Sequence, residues 1–410
     1  MLRRKAPHSP TGSSSRNLDH DAVPRALMHQ WTLVSCSVLL GAVLSACSDT
    51  STLQPTDVEQ LPRDGASYFP TSTSWRRADA NAVGMQGSRL NALSASIAGG
   101  TYPGVNSLII VRHGYLIKEQ YFNGTPAATA QTVQSVTKSV TSLLAGIAVD
   151  KGLLTPDAQV LAVLPEYASL ADADARKGQI TLRHLLEMRS GINFYEAPYE
   201  GSPLERLNTS RDDWVRLALA EPMNADPGTL WQYNSGGAIV VGGMIRRAVG
   251  GDFYAFARDN LFTPIGVTTQ SWYYSPFDML PHTGGGLHLN PLDLARIGYM
   301  VLRRGQWNGT RIVSEEWLNA STSRISSRPT TLGGHVTDYG LFWWLMPLDG
   351  TSPSGGHDDT IWVAAGNFNN WIFIMPRHDL IVVVTGRDNR SFGAPVDFLY
   401  QEIIPAIVLP

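Results

Sequence analysis

Short β-rich runs lie near both ends of this chain, and helix-like runs lie between them. Residues 107–122 (SLIIVRHGYLIKEQYF) hold two apolar runs separated by His113-Gly114, and a two-residue connection that ends in glycine is typical of a β-hairpin. Three more β-rich runs, at 361–366, 371–375 and 380–385, have connections too brief for crossover helices. The five runs therefore predict one antiparallel sheet of about five strands, built from both ends of the chain.

The middle of the chain has the spacing of helices. Runs that begin at Thr181, Ser210 and Asn290 each start with a residue that caps helices well, and the first and last of them stop at Gly191 and Gly305. This pattern predicts a mostly helical domain over 155–325. It would be inserted into an α/β domain formed by 78–154 and 326–410.

The N-terminal segment has the composition of a targeting signal. Residues 31–46 (WTLVSCSVLLGAVLSA) are apolar, uncharged and too short for a comfortable membrane span. The sequence Leu-Ser-Ala-Cys at 44–47 resembles a bacterial lipobox, in which cleavage leaves the cysteine as a lipidated first residue. We therefore predict a lipoprotein signal peptide over 1–46 and a polar tether over 47–77, with Cys47 anchoring an exported bacterial protein to a membrane. An ordinary signal peptide or a buried apolar helix is the alternative.

Charge and cysteine content exclude several classes of protein. The net charge is −3 and the arginines are scattered, so no nucleic-acid partner is expected. Of the two cysteines, Cys36 would leave with the signal peptide, and the mature chain would then have no disulfide. No His or Cys spacing typical of a metal site occurs, and neither a metal nor another cofactor is expected.

Residues 134–146 (QSVTKSVTSLLAG) contain one of only five lysines in the chain, Lys138, three positions after Ser135. Positions i and i+3 share a helix face, so the two side chains can touch. A serine hydroxyl becomes a good nucleophile only when a base takes its proton, and burial can lower the pKa of a lysine enough for that task. The alternative is a serine that only caps the helix and a lysine that is solvated at the surface.

A second motif, PGTLWQYNSGG at 227–237, places Tyr233 just before an apolar helix. A tyrosine here could relay a proton as a phenolate stabilised by Lys138. The alternative is a tyrosine that packs at a helix start, with Asn234 or Ser235 as the cap.

Several other polar residues carry weaker indications. His113 is most simply a turn residue of the hairpin, and His184 a helix residue. Tyr195 could close over a substrate from the loop that follows Gly191, and Arg387 could meet a carboxylate, although both are equally typical of a protein surface. Three histidines near glycines could line a cleft: His282, His288 and His357.

Five segments in this order resemble the serine β-lactamase-related superfamily, which includes class C β-lactamases, DD-peptidases and family VIII esterases. The resemblance is greatest to its nylon-oligomer (6-aminohexanoate dimer) hydrolase-like branch and covers roughly Trp75 to the C-terminus. It implies an α/β domain with an antiparallel sheet beside an all-helical domain, and an active site between the two. The segments are 135–138 (SVTK), 180–192, 227–237, 284–298 and 364–376.

The resemblance also implies roles for individual residues. Ser135 would be the acylated nucleophile, Lys138 its base, and Tyr233 the proton shuttle to the leaving group. The Tyr-x-Asn motif of the family would need asparagine at position 235, whereas this chain has Ser235 and carries Asn234 one position earlier. Asn234 is therefore a candidate for substrate binding rather than a member of that motif. Tyr195, from the loop that follows Gly191, is a separate candidate for substrate binding.

A second departure concerns the Lys-Thr-Gly motif that β-lactamases carry on an edge strand. It falls here on Ala364-Ala365-Gly366, so the lysine that helps to hold a β-lactam carboxylate is absent. Gly366 would let a substrate lie against the strand. The backbone N–H of Asn367 would pair with that of Ser135 as an oxyanion hole.

These observations favour an exported, membrane-anchored serine hydrolase that forms an acyl-enzyme on Ser135 and cleaves small-molecule esters or linear amides. β-Lactams or D-Ala-D-Ala peptides of the cell wall are alternative substrates, disfavoured by the missing lysine and favoured by the exported location. A different class remains open, a non-catalytic module that binds a cell-wall fragment or another ligand in the same cleft. The distances of Lys138 and Tyr233 from Ser135 discriminate between enzyme and binding module.

Overall fold

The computed structural model describes residues 67–325, 330–350 and 357–408. Its strands are β1 (Val105–Arg112), β2 (Tyr115–Tyr121), β3 (Gln131–Thr132), β4 (Ser271–Trp272), β5 (Leu287–Leu289), β6 (Gln306–Trp307), β7 (Thr310–Arg311), β8 (Thr330–Leu332), β9 (His335–Tyr339), β10 (Trp344–Pro347), β11 (Thr360–Gly366), β12 (Asn370–Met375) and β13 (Leu380–Gly386). Its helices are α1 (Gly87–Ala98), α2 (Val136–Asp150), α3 (Val160–Val163), α4 (Leu182–Leu186), α5 (Pro203–Thr209), α6 (Trp214–Ala220), α7 (Ser235–Ala248), α8 (Phe253–Ala257), α9 (Pro291–Leu302), α10 (Glu315–Ser321) and α11 (Ala394–Phe398).

Eight strands form one antiparallel sheet in the order β2-β1-β13-β12-β11-β10-β9-β8. The first strand pairs directly with the last, with Leu108 opposite Val384. The predicted α/β class, with a sheet that joins both ends of the chain, is confirmed. The predicted number of about five strands was too low. Strands β8, β9 and β10 are only three to five residues long, and such short runs cannot be recognised from periodicity alone.

Helices cover both faces of this sheet. Side chains alternate along β12, so that Ile372 and Trp371 point to opposite faces. On one face α9 approaches closely, because a Cβ added at Gly298 would lie 2.8 Å from Ile372 Cγ2. On the other face Trp371 stacks on Phe373, with ring centroids 5.4 Å apart. The core therefore extends to both sides of the sheet.

Helix α2 lies at the centre of the molecule and is buried from Val136 to Ala148. It packs against α7, α10 and β11. Two of its small polar side chains donate to backbone carbonyls inside the protein: Ser139 Oγ to Phe342 O (2.7 Å) and Thr141 Oγ1 to Thr283 O (2.8 Å). A helix buried on all sides can hold its first turn firmly between the sheet and the other helices.

The residues just before Arg77 belong to the packed protein, although the sequence assigned them to the tether. Trp75 is buried, Tyr299 Oη donates to Tyr68 O (2.9 Å), and Arg296 Nη2 donates to Thr71 O (2.7 Å). Aromatic side chains supply apolar area that a polar tether lacks, so this end of the segment folds onto α9.

Cys47 and the predicted signal peptide lie outside the described residues. The described residues cluster as one compact unit, and the predicted division into a sheet domain and a helical domain stays a prediction. In the described part of the chain, no helix combines the length and the apolar character needed to cross a bilayer.

Candidate active site

Ser135 lies at the start of α2, where it is half-buried and acts as the N-cap residue of the helix. The chain reaches it from β3, which pairs with β5, and turns at Gln134 with a φ of 50°. Thr137 Oγ1 holds this turn by donating to Gln134 O at 2.6 Å and accepting from Leu287 N at 3.2 Å. The turn presents the serine at the end of a buried helix.

Lys138 follows one helical turn later and is 1% exposed. Its Nζ lies 2.9 Å from Ser135 Oγ and donates to Gly284 O at 2.7 Å. Burial lowers the pKa of Lys138 to about 8, against an opposing effect from the negative charge of Glu196. A lysine with this pKa is partly neutral near pH 7 and can accept a proton from a neighbouring hydroxyl.

Tyr233 lies beside Lys138, just before α7. Lys138 Nζ is 4.8 Å from the centre of the tyrosine ring. Burial, and secondarily Glu196, raise the pKa of Tyr233, and a hydrogen bond to Ser135 partly offsets that rise. The tyrosine is therefore a neutral phenol at physiological pH, and it contacts the same hydroxyl as the lysine.

Aromatic side chains from three segments surround Tyr233. Its ring stacks on Trp344 with centroids 5.7 Å apart and planes at 21°. Tyr339 packs edge-on against Trp344 at 4.8 Å, and Trp231 contacts both of these rings. The four side chains form an aromatic wall that fixes the orientation of the phenol.

Gly366 brings the end of β11 against the start of α2. A Cβ added at Gly366 would lie 2.8 Å from Ser135 N and 2.4 Å from Val133 O, so only glycine fits. Strand β11 is an interior strand rather than an edge strand, but β10 pairs with it over Thr360 to Val363 only. Among the described residues, the last three residues of β11 therefore have no strand partner on that side.

The backbone N–H groups of Ser135 and Asn367 flank this close approach. Neither of them donates a hydrogen bond to any other described residue. Free N–H groups next to a nucleophile are the type of donor that stabilises a developing oxyanion.

Asn234 caps α7. Its Oδ1 accepts from Gly237 N at 2.7 Å, and its own N–H contacts Met188 Sδ at 3.2 Å. The amide oxygen thus accepts a hydrogen bond from the first turn of α7. This contact supports the capping alternative, rather than substrate binding, for this atom. Such a cap contributes about 1 kcal/mol.

The other sequence-predicted residues are dispersed. Tyr195 is 38% exposed, in the loop before α5, and its Oη donates weakly to Gly201 O at 3.4 Å. Arg387 is half-exposed beside Asp388, at 3.8 Å. His357 Nε2 lies 2.8 Å from Thr322 Oγ1. None of these contacts joins the residue to Ser135.

Three other histidines that the sequence pointed out make local structural contacts. His113 occupies the β1–β2 turn with a φ of 51°, as predicted, and its Nδ1 lies 3.0 Å from Asp379 Oδ2. His184 takes part in the N-terminal cap of α4 with Thr181. His288 lies on β5, where its Nδ1 is 3.2 Å from Gly286 O.

His282 lies nearer to the lysine. Its Nε2 is 3.0 Å from Asn208 Oδ1, and its ring packs against both Trp214 and Tyr273. Burial, and secondarily the charge of Lys138, lower the pKa of His282 to about 4. The imidazole is therefore neutral, and its position in a glycine-rich loop was the signal that the sequence offered.

Glu196 is a further charged residue of the site, which was not predicted from the sequence. Its Oε1 accepts from Ser235 N at 2.5 Å, and its charge acts on Lys138, Tyr233 and Tyr339. A single carboxylate in an irregular loop has no periodicity or motif by which it could be recognised.

No cluster of three or more metal-ligating side chains occurs within residues 67–325, 330–350 and 357–408. The site described above consists of a serine, a buried amine, a phenol and backbone N–H groups. Such a set can carry out proton transfer and nucleophilic attack with its own side chains.

Known proteins are similar to this chain over part of its length. The chain is 28% identical to a lovastatin esterase of Penicillium rubens over 42% of this chain and 46% of that one. It is 21% identical to a 6-aminohexanoate-dimer hydrolase of Paenarthrobacter ureafaciens, over 63% and 69% of the two chains. The chain spans less than half of the length of the first curated relatives that it matches, 42% in one of them.

Solved structures show the same fold. EstCE1, described as a hydrolase with promiscuous acyltransferase activity, superimposes with a TM-score of 0.63 at 17% identity, over 78% of this chain and 98% of that one. The sequence model of the Beta-lactamase family matches residues 91–402, well over half of the chain. The protein therefore belongs to the beta-lactamase family.

Proposed function

We propose that the protein is a serine hydrolase that forms an acyl-enzyme on Ser135 and cleaves esters or small linear amides. The observation that carries this proposal is the buried amine of Lys138, 2.9 Å from Ser135 Oγ. With a pKa of about 8, about a tenth of this amine is neutral at pH 7. A binding module would have no need for a buried lysine in this state beside an accessible hydroxyl.

Acylation begins at the serine hydroxyl. Neutral Lys138 accepts its proton while Ser135 Oγ bonds to the carbonyl carbon of the substrate, and the carbonyl π electrons move to the oxygen. The N–H groups of Ser135 and Asn367 stabilise the resulting oxyanion, and the absence of a side chain at Gly366 lets the end of β11 lie this close to Ser135 N.

Collapse of the tetrahedral intermediate breaks the bond to the leaving oxygen or nitrogen. Tyr233 donates its phenolic proton to that atom and recovers a proton from the ammonium of Lys138. Water then attacks the acyl-enzyme by the same steps in reverse, which releases the carboxylic acid and restores Ser135. An unionised Tyr233 is suited to this relay because burial raises its pKa.

The substrate class follows from the surroundings of the serine. Ala364 stands where a β-lactamase has the lysine that holds a carboxylate, so no cation favours a β-lactam at this position. Within the aromatic wall, the half-buried rings of Trp231 and Tyr233, which pack on buried Tyr339 and Trp344, offer apolar area to an acyl or alcohol group. The relatives named as an esterase and as an amide hydrolase support both ester and amide substrates.

Acyl transfer to an alcohol is a second candidate activity. The acyl-enzyme would be the same, and an alcohol would replace water in the second half of the reaction. Two observations support it: EstCE1 is described as a hydrolase with promiscuous acyltransferase activity, and the aromatic wall would bind an alcohol better than water. Products in the presence of a short alcohol distinguish transfer from hydrolysis.

The experiment combines p-nitrophenyl ester turnover with intact-mass analysis after treatment with a fluorophosphonate probe. Wild type should gain one adduct, and Ser135→Ala should lose both the adduct and the turnover. Ser142→Ala is the matched control on the same helix, because its hydroxyl is buried and has no hydrogen-bond partner among the described residues. Unchanged turnover in folded Ser135→Ala would refute the proposal. A stable adduct with a penicillin would move the substrate towards cell-wall peptides.

The proposal extends to location. A lipid on Cys47 would hold the enzyme on the exported side of a bacterial membrane, as the lipobox-like residues 44–47 indicate.

A further inference from the structure

Glu196 is a carboxylate among the groups of the candidate active site that has no part in the mechanism above. It lies in the loop between Gly191 and α5, and its Oε1 accepts from Ser235 N at 2.5 Å. Ser235 is the first residue of the 14-residue helix α7. The first N–H groups of a helix have no partner within it and carry the positive end of its dipole, so a carboxylate is well placed there.

The segment that carries Glu196 is packed firmly against the start of α7. Phe194 is 1% exposed, and a Cβ added at Gly236 would lie 2.5 Å from its ring. The preceding residue is held as well, since Asn193 N donates to Pro222 O at 2.8 Å. The packing of Phe194 therefore fixes the position of Glu196, which follows it by two residues. The carboxylate lies beside the N–H of Ser235, the second residue after Tyr233.

The start of α7 is also connected to Lys138, through Gly284. A Cβ added at Gly284 would lie 3.0 Å from Ser235 O, and Gly284 O accepts the hydrogen bond from Lys138 Nζ. Glu196, Ser235, Gly284 and Lys138 thus form a continuous set of contacts from the loop to the buried amine.

The charges around Lys138 are few. Tyr233 and His282 face it from the segments before α7 and β5, and Tyr339 lies behind Tyr233 on β9. Burial keeps both phenols and the imidazole neutral. Among the described groups that act on Lys138, Glu196 is the one that brings a negative charge.

We propose that Glu196 is a positioning residue of this site. Its carboxylate holds the start of α7, and thereby Tyr233, beside Ser135, and it provides the counter-charge for the ammonium that forms on Lys138 during acylation. This inference rests on the proposed function, because it assigns a role within the same acyl transfer.

The consequence for pH dependence has a definite sign. Lys138 acts as a base only when it is neutral, so kcat/KM should rise with pH through its pKa. Loss of the Glu196 charge removes a stabilising partner of the ammonium, and the pKa of Lys138 then falls further below its usual value. The neutral amine then persists to lower pH, and the acidic limb of the pH profile of kcat/KM shifts to lower pH. The weaker base also transfers protons more slowly at high pH.

Glu196→Gln tests the charge because glutamine keeps an oxygen that can accept from Ser235 N. Loss of a nearby opposite charge commonly shifts a pKa by about 1–3 units. A shift of about one unit would raise the ratio of kcat/KM at pH 6 to that at pH 9 about tenfold. The measurement is the pH profile for a p-nitrophenyl ester with the full-length protein, together with the rate of fluorophosphonate labelling across the same range. Glu200→Gln, an exposed carboxylate of the same loop, is the matched control and should keep the wild-type profile.

Glu196→Asp provides the second variant, because it keeps the charge and shortens the side chain. Its acidic limb should stay within about 0.3 pH unit of wild type, even where its maximum rate falls, and this comparison holds if Glu196→Gln does not fold. An unshifted limb in folded Glu196→Gln, or an equal downward shift in Glu196→Asp and Glu196→Gln, would overturn the inference. Retained turnover in Ser135→Ala would instead refute the proposed function, so the two failures can be told apart.

Discussion

Replacement of Gly366 by alanine tests the oxyanion hole at the point where the structure leaves least room. The new Cβ would lie 2.4 Å from Val133 O, 2.8 Å from Ser135 N and 3.0 Å from Val136 N. All three neighbours are backbone atoms, which cannot rotate away as a side chain would. The end of β11 or the start of α2 must therefore move.

The size of the effect follows from these distances. A carbon atom needs about 3.5 Å from its neighbours, so the displacement is roughly 1 Å. A misplacement of about 1 Å near reacting groups can cost about 100-fold in rate, and loss of one oxyanion donor costs about 100- to 1,000-fold in kcat, or about 3–4 kcal/mol. We expect kcat of Gly366→Ala to fall by at least about 100-fold. Overpacking should lower the free energy of unfolding by only about 1–3 kcal/mol.

The assay measures kcat for a p-nitrophenyl ester and thermal unfolding on the same preparations. Gly178→Ala is the matched control, because a Cβ at Gly178 would meet no atom within 4 Å. The control should leave both quantities close to wild type. A folded Gly366→Ala protein with kcat within about threefold of wild type would show that the Ser135 N–H and the end of β11 do not form the oxyanion hole.

Three further predictions concern the buried lysine, the central helix and the anchor. Lys138→Met should abolish ester turnover and raise the free energy of unfolding at pH 7 by up to about 3 kcal/mol, since the pKa of Lys138 is lowered from 10.5 to about 8. Because the unfolded chain binds the proton more tightly, this gain in urea denaturation should shrink as pH rises from about 8 towards 10.5. Gly146→Ala should lower the free energy of unfolding by about 1–3 kcal/mol, because its Cβ would lie 2.3 Å from Trp317 Cδ1; thermal denaturation measures the loss. Cys47→Ser should move the protein from the detergent phase to the aqueous phase in phase partition and remove the acyl mass.

Each of these predictions has a clear opposing result. Stability of Lys138→Met at or below that of wild type at pH 7 would contradict a costly buried ammonium. An unchanged melting temperature in Gly146→Ala would show that the tryptophan moves aside freely. A Cys47→Ser protein that still partitions into detergent would rule out this cysteine as the anchor.

Local geometry explains what could be predicted about the site. Ser135 and Lys138 are one helical turn apart, so their contact depends only on the formation of α2. The hairpin turn at His113 is also a property of a short segment whose sequence limits its conformation. The place of Gly366 beside Ser135 was expected from the resemblance and not from local sequence. The connections between the strand-like runs are too short for crossover helices, which predicts antiparallel pairs.

Residues that reach the site from irregular loops could not be predicted. Glu196 contacts α7 because Phe194 packs beneath it, and His282 is neutral because aromatic rings bury it. Strands β8 to β10 are too short to show a period. For Asn234 the sequence left two roles open, substrate binding and helix capping, and the structure shows its oxygen capping α7.

The amino-acid sequence by itself determined the α/β class, the union of both chain ends in one sheet, and the pairing of a serine with a lysine on one helix face. Only the tertiary structure decided the protonation of that lysine, the orientation of Tyr233 and the presence of Glu196 beside them. The reason is physical. Helix and strand patterns are set by neighbours along the chain, whereas desolvation and Coulomb interactions depend on distances between groups far apart in sequence, which exist only once the chain has folded.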